Sequence, residues 1–165
     1  AAPLDQEMLV VSSHFWSPGE QRIQLNAIQS TAKNVMAAAR AATLRLEDLH
    51  WKQLEEIVAY VLSSRGMKIH LVKESPQGGR DLIACGELIP GLEPITIAVE
   101  VKHKEVVNRP EVQMALWQNR NFPALLFVTS GRFSSGVVSE GSISENRLRL
   151  HLWDGVTLQR LIRAL

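Results

Sequence analysis

Six apolar residues, Trp51, Leu54, Ile57, Val58, Val61 and Leu62, recur at the spacing of one helix face and stop at Gly66, the residue type that most readily follows a helix end. The spacing predicts a helix over 48–65. Three strand-length segments follow it directly: an alternating one at 67–73, a short apolar one at 81–85 beyond a Pro-Gln-Gly-Gly loop, and a third at 95–102 after a turn around Pro90-Gly91. A second core helix over 109–117, a buried strand over 124–129, an alternating strand over 148–153 and a closing helix over 156–165 complete the order. That order predicts an α/β fold, a mixed sheet with helices on both faces.

Upstream, Ser17-Pro18-Gly19-Glu20 places a capping residue, a proline and an acid where a helix start wants them. The helix should run to about Arg40, but its stripe (Ile23, Ala27, Ile28, Val35, Met36, Ala39) is weak, so it lies either on the domain or on a second copy. Residues 1–46 are thus expected to be an N-terminal helical extension and 47–165 the core. At 165 residues the chain suits one domain.

Charge narrows the partners. With 18 Lys and Arg against 17 Asp and Glu, the net charge of +1 excludes a histone-like binder that is basic throughout, while leaving room for a local basic patch. Cys85 is the single cysteine, so there is no internal disulfide and no zinc site built on cysteine alone, which is compatible with a reducing, cytoplasmic setting. No run reaches the ~18 apolar residues of a membrane span, so no membrane contact is expected within this segment. The Ala-Ala-Pro start is that of a processed chain or of a piece of a longer one.

The chemistry concentrates in Gly78-Gly79-Arg80-Asp81 and, across a hairpin, Val99-Glu100-Val101-Lys102. Antiparallel pairing about Pro90-Gly91 sets Asp81 opposite Glu100. Two facing carboxylates repel unless a cation lies between them, and a divalent metal would serve. Strand alternation puts Lys102 on the face of Glu100. Hard oxygen ligands suit Mg²⁺, with Mn²⁺ as its substitute, and metal and lysine together could activate a water and neutralise charge growing on a phosphate. The bland alternative is a solvated strand end, but the run Ile95–Val99 leading into Glu100 places the charge at the end of a buried strand.

These residues resemble the PD-(D/E)xK nuclease superfamily, and specifically its Mrr-type restriction endonuclease branch, over residues 49–165. Trp51-Lys52-Gln53-Leu54-Glu55 is similar to the family's first-helix pattern, with Leu54 in place of its usual Phe. The string from Gly78 to Ala84 is similar to its metal-binding aspartate turn, and Val99-Glu100-Val101-Lys102 to its (E/Q)xK strand. Phe127-Val128-Thr129-Ser130-Gly131-Arg132-Phe133-Ser134 resembles its Thr-x-Gly-x-Phe-Ser loop, and Asp154-Gly155 with Leu158 its terminal Asp-Gly-x-x-Leu. The resemblance implies a restriction-endonuclease-like fold and a Mg²⁺-dependent DNA endonuclease acting in restriction or defence. Asp81 and Glu100 would hold the metal, Glu55 would complete the acid cluster directly or through water, and Lys102 would position the attacking water. Gln113, a loose match to a polar residue on the following helix, is a secondary candidate.

Arg80, His103, Lys104, Arg109 and Arg132, together with Arg120, are candidates for a basic rim holding DNA phosphates, with Lys104 on the face of Lys102 by alternation. Glu56 should face outward, the four tryptophans should pack in the core, and Cys85 should be a small buried residue. Two rival readings keep the fold: a catalytically silent DNA-binding or assembly module, and a repair or junction-resolving nuclease. Double-strand cleavage needs two sites, which predicts a homodimer or higher assembly, with the N-terminal helix as one possible interface.

Overall fold

The computed structural model describes residues 18–71, 82–87, 90–143 and 145–165, with only the backbone described for 18–27 and 71. The elements run α1 (Pro18–Arg40), a 3-10 turn (Leu46–Asp48), α2 (Trp51–Ser64), β1 (Lys68–Leu71), β2 (Leu82–Gly86), β3 (Ile95–Lys102), β4 (Val106–Val107), α3 (Arg109–Gln118), β5 (Leu125–Thr129), β6 (Arg132–Phe133), α4 (Ser135–Ser142), β7 (Leu150–Trp153) and α5 (Gly155–Arg163). The mixed sheet flanked by helices is the predicted architecture.

The main sheet has the order β1-β2-β3-β5-β7. Its first half is an antiparallel meander, and β5 and β7 then add parallel to β3. Each parallel step needs a crossover, supplied by α3 and α4. One face carries α1, α2 and α5, whose Ile28, Val35, Leu54, Val58, Leu158 and Ile162 share a cluster with Val99 and Val101 of β3 and Val128 of β5. The other carries α3 and α4, whose Val112, Leu116 and Val137 meet Ala98, Leu125 and Phe127.

Helix α2 starts three residues later than its apolar stripe predicts, because His50 caps it: the ring accepts from the Lys52 N–H while the Gln53 side chain accepts from the His50 N–H. Glu56 does not face outward. It is half-buried and accepts a short hydrogen bond from Thr31 of α1, so the weak-striped first helix is seated on this domain by a polar contact as well as by Ile28, Ala32 and Val35. Nor do all the tryptophans pack inside: Trp51 and Trp117 are exposed, Trp153 alone of the three described ones packs at the core edge, and Trp16 lies outside the described residues. Cys85 is half-buried and accepts from the Thr96 hydroxyl.

Candidate active site

Strand β3 is central in the sheet and carries Glu100 and Lys102 at its C-terminal end. Val99 and Val101 point into the α1/α2/α5 cluster and Ala98 into the α3/α4 cluster, so alternation directs Glu100 and Lys102 to the α3 face. Glu100 is 4% exposed. The Lys102 ammonium lies 3.6 Å from Glu100 Oε1, with its side chain 45% exposed. A buried carboxylate thus borders a cation that reaches solvent, at the carboxyl ends of parallel strands where open α/β sheets place their ligand sites.

The loops leaving β3, β5 and β7 are stitched together beside this end. The Ser130 N–H donates to the Lys102 carbonyl, the Arg132 N–H to the Glu105 carbonyl and the Gly155 N–H to the Gly131 carbonyl. Strands β4 and β6 pair parallel in the same place. Two glycines make the crossing possible: a Cβ on Gly131 would lie 2.1 Å from the Glu105 carbonyl oxygen, and one on Gly155 would lie 2.2 Å from that of Ser130. The Thr129 hydroxyl donates to the Lys104 carbonyl and accepts from the Gly131 N–H, completing the seam.

The basic residues divide by partner. Lys104 reaches the α3 side as alternation predicts, and there its ammonium donates to Glu111 Oε1 at 2.8 Å. The other Glu111 oxygen accepts from the Asn108 N–H and closes the first turn of α3. Partial burial pushes the Glu111 carboxyl up, but the Lys104 and Asn108 hydrogen bonds and the charges of Lys104 and Lys102 outweigh it and leave the group below its ordinary value. Glu111 therefore lies within the electrostatic reach of Lys102. His103 turns to β5, where Nδ1 and the Ser130 hydroxyl are 2.6 Å apart. Arg132 is exposed at the start of β6, and Arg120 stacks over Trp117.

Two candidates share a partner on α4. Arg109, half-exposed, donates through its Nε to Glu140 Oε2 at 2.6 Å and compensates a carboxylate that is 7% exposed. Gln113 lies on the same flank of α3 and also donates to Glu140. Glu140 could not be foreseen because helix α4 is built from Ser, Gly and Val, residues of low helix propensity, and forms through Val137 in the core and this ion pair.

Asp81 and Arg80, with Gly78 and Gly79, lie outside the described residues. The β2–β3 ladder has the register that a turn at Pro90-Gly91 predicts, and its last described pair is Leu82 with Val99. Glu55 is half-buried in α2, next to the buried Leu54. The short reversal at Gly66 turns α2 back along β1, so its first turns lie at the end of the sheet where β3 finishes. A groove of about 520 Å³ lined by Glu47, His103, Lys104, Glu105, Ser130 and Gly131 joins those two regions. Among the described residues no three His, Cys, Asp or Glu are gathered to hold a metal.

The model of the Mrr-type catalytic domain, described as a restriction endonuclease, matches residues 46–162, well over half of the chain. The chain belongs to this family. In this Mrr-type domain, the Thr129-Ser130-Gly131 and Asp154-Gly155 strings fall on the seam between loops, while Glu100-Val101-Lys102 ends the central strand. Among solved structures, the modification-dependent restriction endonuclease AspBHI shares the fold, with a TM-score of 0.52 at 16% identity over 99% of this chain and 40% of that one. The restriction endonuclease MspJI, solved with a 27-mer oligonucleotide, aligns with a TM-score of 0.48 at 19% identity over 93% of this chain and 35% of that one. The chain thus spans about two-fifths or less of these proteins. No curated protein matches it. Among its described residues no helix is long and apolar enough to cross a membrane.

Proposed function

We propose that this Mrr-type domain is a Mg²⁺-dependent endodeoxyribonuclease that hydrolyses DNA phosphodiester bonds in restriction or defence against foreign DNA, in the cytoplasm. The observation that carries this reading is Glu100 beside Lys102 at the end of β3, a buried carboxylate next to a solvent-reaching ammonium. Asp81, the residue before Leu82 in the chain, would be the second carboxylate in this reading, which the pairing of Leu82 with Val99 supports. Residues 47–165 form the nuclease core in this reading, and 1–46 an extension whose helix α1 buttresses α2 and α5.

The donor set fits a hard divalent cation, because it offers carboxylate oxygens and leaves positions for water and phosphate. Asp81 and Glu100 would hold Mg²⁺, or Mn²⁺ in its place, with Glu55 completing the acids directly or through water. When bound, the ion would supply acidity to a water and neutralise phosphate charge. Lys102 orients the attacking water and stabilises the negative charge that grows on the phosphoryl oxygens as the P–O bond to the leaving group breaks. Glu111 and Lys104 fix the charge environment on the α3 side of Lys102. Arg132 and Arg80 serve the DNA backbone.

A domain with one such centre cuts one strand at a time, and two copies are required for a double-strand break, so the active form in this reading is a homodimer or higher assembly. Light scattering with and without duplex DNA measures that. The activity is tested on supercoiled plasmid with Mg²⁺, with Mn²⁺ and with EDTA. Nicked and linear products that require metal and vanish in Asp81→Ala, Glu100→Ala and Lys102→Ala support the reading. DNA binding without cleavage under every metal, or full activity in Lys102→Ala, overturns it.

A further inference from the structure

His103 and Ser130 are the first residues beyond the adjacent parallel strands β3 and β5, and their side chains share a 2.6 Å hydrogen bond at the groove. We propose that this pair is a binding subsite for a DNA backbone phosphate flanking the one addressed by Glu100 and Lys102. The proposal rests on the nuclease reading and adds a residue, Ser130, and a second contact point to it.

The pair can donate to an anion in every protonation state. A neutral imidazole carries one N–H and a serine one O–H, and their mutual hydrogen bond consumes only one of these two protons. If Ser130 donates to Nδ1, the Nε2–H remains; if His103 donates to the hydroxyl, the Ser130 O–H remains. Protonation of the ring adds one more N–H and a positive charge. The pair therefore always retains a donor beyond its own bond, while its partners on the groove wall bring Lys104 close by.

Position separates this subsite from the scissile one. Glu100 and Lys102 project to the α3 face, whereas the groove holding His103 is also lined by Glu47, which precedes α2 on the opposite face. By alternation His103 points away from the face of Glu100 and Lys102, so the subsite addresses a neighbouring phosphate of a strand crossing the sheet end rather than the scissile one. The acids on the groove wall do not bar an anion: Glu47 is ion-paired with Arg45 at 3.1 Å, and Glu105 lies on an exposed bend whose carbonyl holds the backbone of Arg132. Gly131 lets this wall close onto the Glu105 backbone, since a side chain there would collide with it.

The test uses the full chain. Binding of a short fluorescently labelled DNA duplex is measured by anisotropy in EDTA, and plasmid nicking is measured with Mg²⁺. Ser130→Ala and His103→Ala should each weaken duplex binding about tenfold, the size expected for a lost hydrogen bond to a charged group. The nicking defect should appear in KM, with kcat within about twofold, and His103→Gln, which keeps a donor, should recover part of the affinity. Thermal melting checks the fold of each variant, and His103→Gln keeps the test decisive if Ser130→Ala is unstable. Wild-type affinity in the folded variants, or a loss confined to kcat, overturns the subsite. Absence of metal-dependent nicking by the wild type overturns the nuclease reading instead, and is told apart because the affinity measurement needs no metal.

Discussion

Glu100 and Lys102 stand two residues apart on one face of the central strand, 3.6 Å from carboxylate oxygen to ammonium, the first almost fully buried and the second reaching solvent. The spacing is a direct product of strand alternation, and the difference in exposure follows from where the sheet ends.

If Lys102 supplies charge and orientation to the reaction, Lys102→Ala should lower the single-turnover rate of plasmid nicking by about 10²–10³-fold, the usual scale for removing one preorganised donor. Lys102→Arg should not restore it, because a planar fork cannot replace a compact ammonium at this distance from Glu100. Duplex binding should fall far less than the rate. Equal losses in binding and rate would instead make Lys102 a simple phosphate contact.

The seam beside the site makes a prediction about stability. A methyl group at Gly131 or Gly155 meets carbonyl oxygens at 2.1 and 2.2 Å, and these are backbone atoms that cannot swing away. Gly131→Ala and Gly155→Ala should each destabilise by about 3 kcal/mol or more, at the upper end of overpacking costs. In a domain of this size that lowers Tm by roughly 6–12 °C. Melting within a degree or two of wild type would show that the loops can part without cost.

How far the sequence led can be judged from three places. The strand 95–102 and the β2–β3 register were readable because alternation and the Pro90-Gly91 turn are local signals. The Glu100–Lys102 pair followed from them. By contrast, the partners of Arg109 and Gln113 lie on α4, some 30 residues away, and that helix carries no strong local signal. Ser130 stood within a matched string, but its contact with His103 arises only because β3 and β5 are parallel neighbours, a relationship fixed by the tertiary fold.

The Arg109–Glu140 pair should behave as a structural unit. Removing the cation leaves a buried carboxylate, a change that costs about 3–5 kcal/mol when both groups are buried. Arg109 is about half exposed, so solvent takes over part of its role and about 1–3 kcal/mol is expected for Arg109→Ala. Adding Glu140→Gln should return much of that loss, because the orphaned charge disappears. Chemical denaturation of the two single variants and the double variant gives the coupling directly. An additive double variant would show that Arg109 is free to contact DNA.

Glu111 contributes to the acid side of the stability profile. Its carboxyl is lowered in the folded protein, with burial raising it and the Lys104 and Asn108 hydrogen bonds and the neighbouring lysines lowering it further. The unfolded chain therefore binds this proton more readily than the folded one, and stability rises with pH across the window between the two values. The contribution should be complete above the ordinary value of 4.5 and disappear as pH falls through the lower native one. Glu111→Gln removes that dependence. Urea denaturation should find the wild type more stable than Glu111→Gln at neutral pH, with the gap closing below pH 4.5 as the carboxylate is protonated in both states. A gap that stays constant through the acid range would mean that the helix cap, which a glutamine can also make, carries the stabilisation and that the lysine charges do not.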